Sequence, residues 1–157
     1  MFVSYVAAFL FHEDSVLLVR KTRPPWQVGC LNAVGGKIEP LENSIDACQR
    51  EFYEETGLDV PSWTGFCAEE ATPDAVVHFF WARARGARPV TPPINDVGEE
   101  LEWWRIADLY DPRVTDPRLI GNLYWLIPMA LDPRGLHCHV RAERLFKIPG
   151  TWPRPGA

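Results

Sequence analysis

The chain has 157 residues, of which 46% are hydrophobic and 24% are charged, and its formal net charge at pH 7 is −5. This composition is typical of a globular protein with a single hydrophobic core. The negative charge argues against a nucleic-acid polymer as the main partner. A small polyphosphate remains compatible with it, because a bound metal ion supplies positive charge locally.

The four cysteines show no C-x-x-C spacing, so they predict neither a zinc site nor a disulfide framework but reduced thiols. The apolar start of the chain lacks the basic residues and cleavage site of a signal peptide, and no apolar run is long enough to span a membrane. We therefore expect a cytoplasmic monomer without a membrane partner. Its single domain is expected over residues 1–148, followed by a loose tail at 149–157.

The hydrophobic pattern predicts seven strands, at 3–11, 15–20, 31–34, 62–70, 75–83, 101–106 and 136–141. Two helices are expected, one between the third and fourth strands and one from Pro117 to about Leu131. A loop rich in Pro and Gly is expected over 86–98. Mixed strands with one central and one late helix predict the α+β class, arranged as an α/β/α sandwich with a mixed sheet.

The ends of the central helix can be read from its capping residues. Asn43 is the predicted N-cap, with Asp46 three residues further on as in a capping box. Gly57 is the predicted C′ residue, where the chain takes a positive φ. Three apolar side chains of this helix are expected to pack on the sheet: Ile45, Cys48 and Phe52.

Three glutamates gather near the end of the same helix. On a period of 3.6 residues, Glu51, Glu54 and Glu55 lie on one face. Like charges at this spacing destabilise an isolated helix by about 0.2–0.5 kcal/mol per pair, so a helix that keeps three of them beside Gly35-Gly36 is expected to hold a cation. Oxygen ligands select a hard ion, so Mg²⁺ is the expected cofactor and Mn²⁺ is compatible.

The segment from Gly36 to Leu58 resembles the Nudix box, G-x5-E-x7-R-E-U-x-E-E-x-G-U, in which U is apolar. All the defined positions match: Gly36, Glu42, Arg50, Glu51, Phe52, Glu54, Glu55, Gly57 and Leu58. The resemblance implies the Nudix fold. It also implies an enzyme that cleaves a phosphoanhydride bond in a nucleoside diphosphate linked to a further group.

The same resemblance assigns roles to individual residues. It implies that a set of three carboxylates and one backbone carbonyl binds the metal: Glu51, Glu54, Glu55 and Gly35. Lys37 would face the substrate phosphates. Arg50, which can pair with Glu42 or Glu54, joins Glu54 and Glu55 among the catalytic residues by directing the carboxylates.

Shorter matches outside the box resemble MutT-like nucleoside triphosphatases, in particular the mammalian-type enzymes that act on oxidised purines. They are Trp26 six residues before Asn32, the 31–37 segment resembling W-N-G-F-G-G-K, Glu99 five residues before Trp104, and the 122–125 segment resembling D-S-Y-W. They imply that Trp26, Asn32 and Asn122 line the base pocket. Glu99, or alternatively Glu100, would complete the metal shell or act as general base.

One departure affects the expected substrate. Those enzymes read the oxidised base with two adjacent acids, whereas this chain has Gly121 and Asn122. An amide offers both a donor and an acceptor, and glycine offers no side chain. We therefore expect weaker discrimination between oxidised and normal purines.

The expected function is Mg²⁺-dependent hydrolysis of a nucleoside triphosphate to a nucleoside monophosphate and pyrophosphate. One alternative is an ADP-ribose or sugar-nucleotide pyrophosphatase, for which Pro73, fifteen residues after Leu58, resembles a diagnostic position. A second alternative is a catalytically silent, nucleotide-binding Nudix domain. The presence of all three glutamates favours an enzyme over the silent domain.

Overall fold

The structure is a computed structural model that describes residues 2–114, 118–135 and 137–141. Predictions that concern Pro117, Leu136 and the tail at 149–157 lie outside the described residues. None of the described helices is long and apolar enough to cross a membrane.

The described residues form seven strands, β1 (Val3–His12), β2 (Ser15–Arg20), β3 (Leu31–Asn32), β4 (Thr64–Thr72), β5 (Ala75–Arg83), β6 (Glu100–Arg105) and β7 (Cys138–Arg141). They also form three α-helices, α1 (Ser44–Thr56), α2 (Ile106–Tyr110) and α3 (Leu123–Ala130), and a 3-10 turn at Pro25–Gln27.

The strands make one mixed sheet in the order β3-β2-β1-β5-β4-β7, with β6 paired to the other edge of β2. The pairs β1–β5 and β4–β7 are parallel, and the remaining pairs are antiparallel. The central strand β1 is buried on both faces from Val6 to His12. That continuous burial explains its run of apolar residues, since a strand covered on both sides has no polar face.

Two apolar cores lie on opposite faces of the sheet. On one face α1 packs through three buried side chains, Ala47, Cys48 and Phe52. On the other face α3 packs through four, Leu123, Leu126, Ile127 and Ala130. The layers are therefore helix, sheet and helix, which confirms the predicted sandwich.

Both predicted ends of α1 are confirmed. The Asn43 side-chain oxygen accepts from the N–H groups of Ile45 and Asp46, at 3.1 and 2.9 Å. The Asn43 amide also donates to the Asp46 carboxylate at 2.6 Å, so this capping box closes through side chains. Gly57 has a φ of 71°, and its N–H donates to the carbonyl of Tyr53.

The prediction that Ile45 packs on the sheet is wrong, because that side chain is 45% exposed. Ala47, two residues after Ile45, is buried between α1 and the sheet instead.

The late helix begins at Leu123, later than predicted. The residues before it are extended along β3. The Leu31 N–H donates to the Arg118 carbonyl at 2.8 Å, and the Ile120 N–H donates to the Leu31 carbonyl at 3.0 Å. Paired backbone groups of this kind are satisfied outside a helix, which delays its start.

Candidate active site

Two glycines fix the turn that follows β3. A Cβ atom at Gly35 would lie 2.1 Å from the Val6 carbonyl oxygen, and one at Gly36 would lie 2.2 Å from the Glu51 Oε2 atom. The turn is held against β1, because the Val6 N–H donates to the Gly36 carbonyl at 2.9 Å. The absence of side chains therefore lets the backbone approach both the sheet and a carboxylate of α1.

Arg50 lies at the centre of an ion-pair network on α1. Its guanidinium donates to both oxygens of Glu42 at 2.8 and 2.9 Å, to Glu51 at 2.9 Å and to Glu54 at 3.1 Å. It also donates to the Lys37 carbonyl at 3.1 Å. The hydrogen bonds from Arg50, together with one from the Glu39 backbone N–H, lower the pKa of Glu42 to about 2. Arg50 thus pairs with Glu42 and Glu54, the two partners suggested by the sequence, and also with Glu51.

Glu55 faces inward and is the least satisfied carboxylate of α1. Among the described residues its Oε2 atom is buried without a hydrogen-bond partner. Burial raises the pKa of Glu55 to about 7, with Glu99 and Glu51 acting in the same direction. Lys21 and a hydrogen bond from the Gly35 backbone act against that rise. A cation bound here would neutralise this group of acids.

Glu99, rather than Glu100, lies at this site. The Glu99 side chain is fully buried and Glu100 is exposed. Its carboxylate accepts from the Lys21 ammonium at 2.9 Å and from the Thr22 N–H at 3.1 Å. Its own N–H donates to the Asn95 side chain at 2.8 Å, which fixes the loop that carries it.

The carboxylates of α1 and this loop face each other across a cleft of about 290 Å³, lined by Glu51, Glu54, Glu55, Asn95, Asp96 and Val97. Asn95 and Asp96 were not predicted as site residues. Their signal in the sequence is the polar turn N-D-x-G within the loop that precedes β6, in which Gly98 takes a φ of 81°.

The residues fit a hard divalent cation by their chemistry. They offer carboxylate oxygens with one unpartnered buried oxygen, on Glu55, and a glycine turn at close range. In the described part of the chain, no three His, Cys, Asp or Glu side chains converge into a ready-made metal site. Glu51 and Glu54 are turned toward Arg50 and accept hydrogen bonds from it.

The residues predicted to hold the base are more dispersed. Trp26 is 63% exposed on the 3-10 turn, so it is not a core residue. Its neighbour Gln27 accepts from the Asn32 amide at 3.2 Å, and the Asn32 oxygen accepts from the next backbone N–H. Lys37 is exposed at the glycine turn.

Asn122 has an unpredicted partner. Its amide donates to the Glu69 carboxylate on β4 at 2.9 Å, and only 3% of the Glu69 surface is exposed. Glu69 and Glu70 are adjacent acids in this strand, and the sequence gives no signal that shows which of them is buried.

Comparisons with known proteins show what this chain is similar to. The sequence model of the NUDIX domain family matches residues 1–124. The Homo sapiens 8-oxo-dGDP phosphatase NUDT18 is 37% identical over 86 residues, which are 54% of this chain and 26% of that protein. The Danio rerio 8-oxo-dGDP phosphatase NUDT18 is 27% identical over 154 residues, 90% of this chain and 45% of that protein.

Solved structures share the fold. The MutT protein of Bacillus halodurans aligns with a TM-score of 0.69 and 20% identity, over 87% of this chain and 86% of that chain. The NUDIX domain of Shewanella oneidensis NrtR, solved with ADP-ribose, aligns with a TM-score of 0.63 and 23% identity, over 83% and 86% of the two chains.

The fold, the complete box and the family match together show that the chain belongs to the Nudix domain family. Its fold is that of the MutT proteins. The chain spans less than half the length of the two curated relatives.

Proposed function

We propose that the protein is a divalent-metal-dependent hydrolase that cleaves a phosphoanhydride bond of a nucleoside polyphosphate and releases a nucleoside monophosphate. The observation that carries this proposal is the cleft in which the three α1 carboxylates face the loop of Glu99, beside a glycine turn without side chains. A helix surface that were merely solvated would not bury Glu55 and Glu99 together.

The residues in and around the cleft have different roles in this proposal. Glu51, Glu54, Glu55 and the Gly35 carbonyl would hold Mg²⁺ or Mn²⁺, which when bound lowers the pKa of a water and neutralises bridging phosphate oxygens. Arg50 orients the carboxylates, and Lys37 contacts the phosphates. Glu99 completes the metal shell or accepts the proton of the attacking water, a role worth about 10²–10⁴-fold in rate.

The two candidate substrates, a nucleoside triphosphate and a nucleoside diphosphate, differ only in the leaving group. The resemblance of the sequence to MutT-like enzymes favours a nucleoside triphosphate, which would release pyrophosphate. Both curated relatives are 8-oxo-dGDP phosphatases by name, and a diphosphate of this kind would release orthophosphate. The diphosphate is therefore the second candidate, and both candidates yield the same monophosphate. The NrtR domain binds ADP-ribose, which keeps that compound as the next alternative.

A hydrolysis screen tests the proposal. Purified protein with Mg²⁺ is incubated with dGTP, dGDP, their 8-oxo forms, ADP-ribose, a sugar nucleotide and a dinucleoside polyphosphate, and the products are separated by chromatography. We expect a nucleoside monophosphate, with pyrophosphate or orthophosphate identifying the preferred substrate. Absence of turnover on every compound, in a protein that still binds nucleotide, would support the silent-domain alternative instead.

A further inference from the structure

A buried carboxylate with a single hydrogen bond lies on the α3 side of the sheet. Among the described residues, Asn122 is the only donor to Glu69, and no cation contacts it. Burial raises the pKa of Glu69, and the Asn122 hydrogen bond opposes that rise. Burying a carboxylate with so little compensation is costly. A bound molecule with N–H donors would remove that cost.

The Asn122 side-chain amide beside Glu69 also lacks part of its hydrogen bonding. Asn122 stands at the N-cap position of α3 but makes no capping hydrogen bond with its side chain. Its Nδ2 group is directed to Glu69, and its Oδ1 atom is buried without a partner among the described residues. Leaving a buried acceptor unpaired is destabilising, so the orientation of this amide serves the carboxylate rather than the helix.

The position of Glu69 suits the base of a nucleotide whose phosphates lie at the glycine turn. Paired residues form a row across the sheet from Lys37 through Tyr5 and Val77 to Glu69. Partners in such a row share one face, and three strand spacings amount to about 14 Å. Val77 and, on the far side, Val140 are half-buried apolar neighbours of the carboxylate. Apolar walls with one polar group are typical of a ligand pocket.

The chemistry of the carboxylate indicates which base it accepts. A carboxylate offers only acceptors and binds two neighbouring N–H donors at once. Guanine presents such a pair, its N1–H and its 2-amino group, and 8-oxoguanine keeps both. Adenine presents an acceptor at N1 between a C–H and its amino group.

We infer that Glu69, oriented by Asn122, is the specificity-determining residue of the nucleotide pocket and selects guanine-type bases through the N1–H and 2-amino groups. This inference rests on the proposed function, since it names the base that the same site takes. Asn122 acts as a positioning residue for the carboxylate.

The test uses Glu69→Gln, which keeps the shape of the side chain and replaces one acceptor by a donor. kcat/KM is measured for dGDP, dADP and deoxyinosine diphosphate, which has N1–H but no 2-amino group. Wild type should prefer dGDP, with the inosine compound intermediate. Glu69→Gln should lower kcat/KM for dGDP roughly 10- to 100-fold and change the dADP value less than about threefold, because a site built for hydrogen bonds discriminates through them.

Glu70→Gln is the matched control. Glu70 is the next residue on β4, points to the opposite face and contacts His139 at 3.0 Å. This variant should keep the wild-type ratio of dGDP to dADP. An equal loss for both nucleotides in Glu69→Gln, accompanied by a lower Tm, would overturn the inference and leave Glu69 as a structural tie between β4 and α3.

Calorimetric binding of dGDP and dADP separates this inference from the proposed function. If wild type hydrolyses none of the nucleotides, the proposed function fails, but the ratio of the two Kd values still tests Glu69. A ratio that favours dGDP in wild type and is lost in Glu69→Gln supports the inference. A ratio that is unchanged by the substitution contradicts it.

Discussion

Glu99 and Glu100 are adjacent acids with opposite environments, which makes them a matched pair for experiment. Glu99 is buried against Lys21, whereas Glu100 is exposed. We expect Glu99→Gln to lower kcat by about 10²–10⁴-fold, the usual worth of a general base. Glu100→Gln should retain near-wild-type kcat. Steady-state kinetics with the preferred nucleotide measures kcat for both variants. The reverse order of effects would assign the general-base role to Glu100.

The two glycines of the turn should fail in different ways. Ala at Gly35 meets the Val6 backbone, which cannot move aside cheaply, so Gly35→Ala should destabilise the fold by about 1–3 kcal/mol. Ala at Gly36 meets the carboxylate end of Glu51, which is flexible. Gly36→Ala should therefore keep most of its stability but lose activity, because it displaces a proposed metal ligand.

Urea unfolding and kcat, measured on both glycine variants, check this contrast. Equal losses of stability in the two variants would mean that Glu51 is as rigidly held as the Val6 backbone. An active Gly36→Ala variant would show that the position of the Glu51 carboxylate does not matter to turnover.

We expect Asn122 to limit how well an oxidised base is distinguished from a normal one. Its side chain is an amide, not an acid, and the donor of that amide is bound to Glu69. We expect wild-type kcat/KM values for 8-oxo-dGTP and dGTP that differ less than in enzymes with two acids here. A strong preference for the oxidised base that persists in Asn122→Asp would contradict a role for this residue in reading the base.

At the scale of elements, α1 owes part of its stability to its N-cap. Asn43→Ala removes two hydrogen bonds to backbone N–H groups and the contact with Asp46. Loss of such a cap costs about 0.5–2 kcal/mol, and Asn43→Asp should restore most of it. Urea unfolding measures both variants. Because the carboxylates lie at the other end of the helix, kcat at 25 °C should stay close to wild type; a large loss of kcat would show that the cap also positions the site.

α1 could be predicted in detail because its limits are local. Asn43 and Gly57 act on neighbouring backbone groups, and the three glutamates share one face by helix geometry alone. The start of α3 could not be predicted, because the hydrogen bonds of Arg118 and Ile120 go to Leu31, far away in the sequence. The short helix α2 was missed for a related reason: Ile106 continues the apolar pattern of β6, and its N–H donates to Asp14.

The same distinction holds within the site. The spacing of the box predicted the acids of α1 and their Arg50 partner, because all lie on one helix. The pairs Lys21–Glu99 and Glu69–Asn122 join residues 78 and 53 positions apart, so only the fold reveals them. Asp96 lines the cleft because of the path that its loop takes. The composition of that loop predicted only that it would be exposed.

At the scale of the whole molecule, the glycine turn joins two parts of the substrate path that we propose. The missing side chain of Gly36 leaves room for the Glu51 carboxylate on the α1 side, and Lys37 begins the row that leads across the sheet to Glu69. A nucleotide bound along this path would place its phosphates at the carboxylate cleft and its base beside α3. Each half of a substrate bound in this way would lie on the side of a different helix layer.

The central claim is that the α1 carboxylates bind a divalent metal for hydrolysis, and the direct test is turnover against Mg²⁺ concentration in wild type, Glu54→Gln and Glu55→Gln. We predict no turnover in the presence of chelator, recovery on addition of Mg²⁺, and a loss of kcat by orders of magnitude in both variants with a native circular dichroism spectrum. Turnover that resists chelator, or near-wild-type kcat in either variant, would contradict this account of the site.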